Sequence, residues 1–150
     1  MLEDIYNYLM LSESIGTSGQ PSEAQIVEIA QAGYQLVINL ALSNTKYPLA
    51  DERSTVESHG MEYIHLPVIW EHPTTENLES FCDVIDANQR KKVFVHCAAN
   101  MRVSAFMALY RIQRLGWKPE DAFRDMQRIW TPDGWWRDFI LAALPDGDKA

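Results

Sequence analysis

Short apolar runs bounded by glycine, proline and polar residues alternate along this chain with stretches in which apolar residues recur every three or four positions. The runs are residues 34–40 (YQLVINL), 61–68 (MEYIHLPV) and 93–96 (VFVH), and they predict strands. Ser22 predicts the N-cap of a helix through about Ala32, with Ile26, Ile29 and Ala30 on its buried side and Gly33 as a left-handed stop. Residues 51–59 predict a shorter helix ended by Gly60. Thr74 or Thr75 opens the next, through about Asn88, with Leu78, Phe81 and Ile85 on one face. Residues 102–115 predict a helix stopped at Gly116, Pro119 suits the first turn of another to about Trp130, and TPDG separates that from a last helix over 135–144. Strands alternating with helices imply an α/β domain. Its central, mainly parallel sheet of about four to five strands has helices on both faces, and ligands of such sheets sit beyond the C-terminal ends of the strands.

Length and composition narrow the class. A chain of 150 residues, 47% hydrophobic and 23% charged, has the balance of one soluble globular domain. A net charge of −8 argues against nucleic acid or an anionic membrane as a partner, so a phosphorylated ligand has to be attracted locally. The opening MLEDIYNYLMLSE places acids where a secretory signal carries Lys or Arg, and the expected location is cytoplasmic. The polar stretches GTSGQPS and PDGDKA are expected to be a loop and a frayed tail. Of the two cysteines, Cys82 lies on a predicted helix face as a packing residue, and no disulfide is expected. His59, His65 and His72 lack metal-ligand spacing, so neither a metal nor a cofactor is expected. Most of the five tryptophans are expected in the core or in helix packing, with Trp70 as the exception.

Candidate chemistry concentrates in KKVFVHCAANMRVSAF, residues 91–106. An apolar run ends in His96-Cys97, passes through a short loop to Arg102 and enters a helical pattern. Backbone N–H groups of such a loop, left unpaired by the first helical turn, converge on one point and bind an anion. A cysteine there feels the same positive field, which favours the thiolate. Arg102 adds a planar fork suited to two oxygens of a tetrahedral oxyanion. This reads as an oxyanion site with a nucleophile inside it.

The stretch HCAANMR resembles the His-Cys-x5-Arg signature of the cysteine-dependent protein tyrosine and dual-specificity phosphatases, with four residues instead of five between Cys97 and Arg102. The stretches TSGQPS (17–22), YQLVINL (34–40), YIHLPV (63–68) and the Pro73-Thr74-Thr75 helix opening are similar to the small bacterial branch of that superfamily, whose members also occur beside persulfide-dioxygenase-like domains. The resemblance covers about residues 18–144 and implies a phosphatase-like fold. It also implies a phosphate- or sulfate-like anion held by residues Cys97, Ala98, Ala99, Asn100, Met101, Arg102 and Val103, with a phosphorylated protein or small molecule as partner. Cys97 would be the nucleophile, forming a phosphocysteine that water resolves, with loop amides and Arg102 stabilising the equatorial oxygens. His96 would orient the loop. Where the family places an acidic residue after the strand matching YIHLPV, this chain has Trp70-Glu71-His72-Pro73, so Glu71 is the candidate acid and His72 the second choice, with Trp70 flanking them.

Two alignments of the shortened loop are open. A simple deletion leaves Arg102 at the helix opening and sets Val103 where the family has Ser or Thr. An unchanged loop length keeps Ser104 at that hydroxyl position, where it would help expel the thiolate, and puts Val103 in place of the Arg. Asn100 stands where the pattern has Gly, and Asn is the next best residue for a positive φ. Three chemistries are compatible with this loop: a cysteine-dependent phosphatase; a phosphatase-like module that holds an oxyanion or phosphoprotein without turnover; and rhodanese-like persulfide chemistry on Cys97, since Cys-x4-Arg is also the rhodanese loop length.

Overall fold

The structure, a computed structural model, describes residues 1–42 and 51–148. Residues 149 and 150 of the polar tail lie outside the described residues. In chain order the elements are β1 (Leu9–Ser12), β2 (Ile15–Ser18), α1 (Glu23–Gln31), β3 (Leu36–Asn39), α2 (Glu52–Ser58), β4 (Glu62–His65), α3 (Thr75–Ala87), β5 (Val93–His96), α4 (Met101–Leu115), α5 (Pro119–Gln127) and α6 (Gly134–Ala143). The helices start where their caps allow. Ser22, Asp51 and Thr74 each accept an N–H from the third residue onward, satisfying donors that the first turn leaves orphaned. At the other end of α4, Gly116 takes φ +74 and stops the helix.

The five strands form one sheet in the order β1-β2-β5-β3-β4, with β1 antiparallel to β2 and the remaining pairs parallel. Alternate residues of the inner strands feed two different cores. Leu36, Ile38, Val93 and Val95 face a cluster with Leu78, Phe81, Phe106 and Trp136 from α3, α4 and α6. Val37 and Phe94 face the opposite way, packing with Ile5, Ile26, Ile29 and Val56. The α/β architecture expected from the alternating pattern is the one observed. In register, Ser18, His96, Asn39 and His65 stand level across four neighbouring strands, so the C-terminal edge of the sheet carries a row of polar side chains. Among the described residues no helix is long and apolar enough to cross a membrane.

Two expectations change. The stretch GTSGQPS is not simply a loop: Gly16, Thr17 and Ser18 are buried and form most of β2, beside the central strand β5. The neighbours demand small residues there, because a Cβ on Gly16 would stand 2.5 Å from the Tyr34 hydroxyl oxygen and 2.9 Å from the Phe94 ring. Thr17 stays satisfied in the interior by donating to the Leu9 carbonyl at 2.7 Å. The tryptophans differ from expectation in one place, since Trp70, the expected exception, packs on Trp130 and Trp136. Only Trp136 is fully buried, Trp70 and Trp130 are half-buried against it, and Trp117 and Trp135 are exposed.

Candidate active site

β5 delivers His96 and Cys97 to the C-terminal edge of the sheet, and the chain enters α4 after only three further residues. Cys97 is 1% exposed, at the base of the turn. Asn100 caps α4 with φ 63, the left-handed conformation that lets the chain reverse into the helix without an extra residue. The N–H groups of Ala98, Ala99, Met101, Arg102 and Val103 meet no acceptor among the described residues. Ser104 is the first whose N–H bonds back, to the Asn100 carbonyl at 2.9 Å. Amides without an acceptor among the described residues, next to a buried thiol at a helix N-terminus, are the kind of donors that bind anions in proteins.

The loop's carbonyls, by contrast, are engaged from outside. His96 Nδ1 lies 3.3 Å from the Cys97 oxygen, the Gln20 N–H donates to the Ala98 oxygen at 3.0 Å, and Asn7 Nδ2 donates to the Ala99 oxygen at 2.9 Å. Gly19 makes the close approach possible, since a Cβ there would stand 2.6 Å from the Ala98 oxygen.

His96 is wholly buried, and its Nε2 sits 2.6 Å from Glu52 Oε2. The other Glu52 oxygen accepts from Gln20 Nε2 at 2.9 Å. Burial pushes the Glu52 carboxyl up, but bonding and charge from His96, together with Gln20 and Tyr63, outweigh it and hold the group below its ordinary range. Tyr63 in turn accepts from Asn39 Nδ2 at 3.0 Å, while Asn39 Oδ1 takes the Ala41 N–H at 2.8 Å. A polar network therefore runs under the loop, along the edge where Asn39 and His96 stand. Nothing local in the sequence marks Glu52, which lies 44 residues from the histidine it meets.

Arg102 is 8% exposed and its Nη1 donates to the Val68 carbonyl at 2.8 Å. Val68 N–H bonds back to Leu40 at 2.9 Å, so the arginine ties the first turn of α4 to the segment that leads into Trp70 and Glu71. Glu71 and His72 are exposed at the turn that follows, and no bond joins either side chain to Cys97 or Arg102. Trp70 packs on Trp130 and Trp136 at ring distances of 5.4 and 5.5 Å, and its carbonyl accepts from Trp136 Nε1. Ser104 donates to the Met101 carbonyl at 3.0 Å and accepts from Trp130 Nε1 at 3.1 Å, so its hydroxyl is engaged on the side of α4 that meets Trp130. The structure thus gathers His96, Cys97, the loop amides and Arg102. Among the described residues no side chain bonds to the thiol, Glu71, His72 and Ser104 included. Cys82, on α3, is buried among core residues, and burial pushes its thiol up to about 11.

A mainly parallel sheet whose central strand is followed by a cysteine, a short loop and a helix with arginine in its first turn is the frame of the cysteine-dependent tyrosine and dual-specificity phosphatase superfamily. Within it, the chain belongs to the family described as DSP-PTPase phosphatase fused to NAD+ kinase, whose model matches residues 11–131. A solved structure from Shewanella putrefaciens CN-32, described as "Putative phosphatase (DUF442)", is 31% identical; the similarity covers 95% of this chain and 93% of that one, with a TM-score of 0.86. TpbA of P. aeruginosa shares the fold at 20% identity and a TM-score of 0.75, over 96% of this chain and 89% of that one. A beta-lactamase hydrolase-like protein of Xylella fastidiosa is 29% identical over 105 residues, which is 68% of this chain and 24% of that protein. The chain therefore spans about a quarter of that relative's length.

Proposed function

We propose that the protein hydrolyses phosphate monoesters through a phosphocysteine at Cys97. The observation that carries this reading is the set of five loop and helix amides that meet no acceptor among the described residues, beside the buried Cys97 at the N-terminus of α4. In the first step the Cys97 sulfur attacks phosphorus in line, the S–P bond forms as the P–O bond to the alcohol breaks, and the departing oxygen takes a proton from an acid. Amides of the loop and the remaining N–H groups of Arg102 stabilise the charge on the equatorial oxygens. In the second step water attacks the phosphocysteine and releases inorganic phosphate and the thiolate. Glu71 is the candidate acid, on the turn that Arg102 anchors through Val68. Membership of the DSP-PTPase family supports the same reaction class.

A second reading, a module that holds an oxyanion without turnover, draws support from one observation: Arg102 already gives an Nη1 donor to Val68, and only four residues separate it from Cys97. Steady-state hydrolysis of an aryl phosphate by wild type and Cys97→Ser from pH 5 to 8 separates the two. Turnover by the wild type, abolished in the variant, is the expected result. A folded wild-type protein that binds phosphate but releases no phenol would overturn hydrolysis in favour of binding alone.

A further inference from the structure

We propose that Asn7, outside the stretch matched by the family model, is a positioning residue of the anion cradle: it keeps helix α4 from starting a turn too early. The proposal rests on the oxyanion reading of the Cys97 loop and adds the device that holds the loop open.

The three carbonyls before Asn100 are the natural acceptors for the first three amides of α4. In an uninterrupted helix, the Met101 N–H would bond to Cys97, the Arg102 N–H to Ala98 and the Val103 N–H to Ala99. Each such bond would remove one donor from the cradle. In the structure each acceptor has another neighbour: the His96 ring for Cys97, the Gln20 N–H for Ala98 and the Asn7 side chain for Ala99. Peptide planarity adds a second effect, because a carbonyl turned outward sets the N–H of the same peptide inward. The Gln20 contact holds the Ala99 amide that way, and the His96 ring stands 3.3 Å from the carbonyl that shares a peptide with the Ala98 amide.

Asn7 is the part of this arrangement that a side-chain change can test. It clasps the loop reciprocally, giving Nδ2 to the Ala99 oxygen and taking Asn100 Nδ2 on its own carbonyl, both at 2.9 Å. Both asparagines adopt the left-handed backbone, at φ 51 and φ 63, a conformation unusual for residues other than glycine. Asn100 is completely buried, and its Oδ1 has no partner among the described residues. Turning that amide round would set its oxygen against the Asn7 carbonyl, so the unpaired acceptor is the consequence of keeping the clasp. Two uncommon backbone conformations and one unsatisfied oxygen meet at a single contact between the N-terminal segment and the loop. Such local costs persist where the surrounding structure fixes them for a purpose.

The test is titration of inorganic phosphate, followed by amide NMR, into wild type, Asn7→Asp and Asn7→Gly. Aspartate keeps the size and the tolerance of positive φ but lacks the donor; glycine keeps the backbone without any side chain. Ile26→Val, in the core that also takes Ile5 and Tyr8 from either side of Asn7, serves as a control for general destabilisation. Both Asn7 variants are expected to bind phosphate about tenfold more weakly, the effect of about one lost hydrogen bond to a charged ligand. The Val103 amide resonance, shifted by phosphate in the wild type, is expected to stop responding. No phosphate binding by folded wild type would overturn the oxyanion reading itself. Wild-type binding with affinity retained within twofold in either Asn7 variant would overturn the role of Asn7 alone, as would an equal loss of affinity in Ile26→Val. Failure of both Asn7 variants to fold would also overturn it, since Asn7 would then serve the fold and not the cradle.

Discussion

At the scale of single residues, the site divides into groups that the sequence announces and groups that only the fold supplies. His96, Cys97 and Arg102 are legible because they lie within seven consecutive positions at a strand-to-helix junction. Glu52 and Asn7 are not, because their partners are 44 and 92 residues away and nothing in their own neighbourhoods distinguishes them from surface polar residues. Glu52 illustrates what such a residue contributes. Its carboxylate is buried against His96, and removing it leaves the wholly buried His96 Nε2 without its partner, so Glu52→Ala is expected to lower stability by about 1–3 kcal/mol in urea unfolding at pH 7. The pH dependence has a definite sign. A carboxyl held below its ordinary value of 4.5 contributes fully above that value, and its contribution disappears as pH falls through the folded-state value. The stability gap between wild type and Glu52→Ala should therefore close on acidification below pH 4.5, and a gap that widened there would contradict the assignment.

At the scale of elements, the helices are legible from local chemistry. Ser22, Asp51 and Thr74 cap the helices they were expected to open, and Gly33, Gly60 and Gly116 take positive φ where each helix was expected to stop. The β1–β2 hairpin is the part that was hidden. Strand patterns are recognised by bulky β-branched and aromatic residues, whereas β2 reads Ile-Gly-Thr-Ser because Tyr34 and Phe94 occupy the space a larger residue would need. Burial here is imposed from across the sheet, at a distance that periodicity cannot sense. Gly16→Ala tests this account. Overpacking between Tyr34 and Phe94 should destabilise the protein by about 1–3 kcal/mol in chemical denaturation, although an exposed strand would gain from losing a glycine.

At the scale of the whole molecule, one sheet separates two cores, and the site lies on the edge where both faces end. The wider aromatic assembly on one face joins elements that are far apart in sequence. Trp136 of α6 holds the Trp70 carbonyl, and the rings of Trp70, Trp130 and Trp136 stand 5.4 to 6.2 Å from one another, next in the chain to Glu71. The segment bearing the candidate acid thus has a built-in optical gauge. Indole emission depends on the surroundings of the ring, so any rearrangement of residues 68–72 on phosphate binding should change intrinsic fluorescence, and Trp70→Phe should remove most of that change while the exposed Trp117 and Trp135 continue to emit. A response that survived Trp70→Phe would locate the movement elsewhere. Any such rearrangement could then be timed by stopped flow in the unlabelled protein, from the side chains it already has.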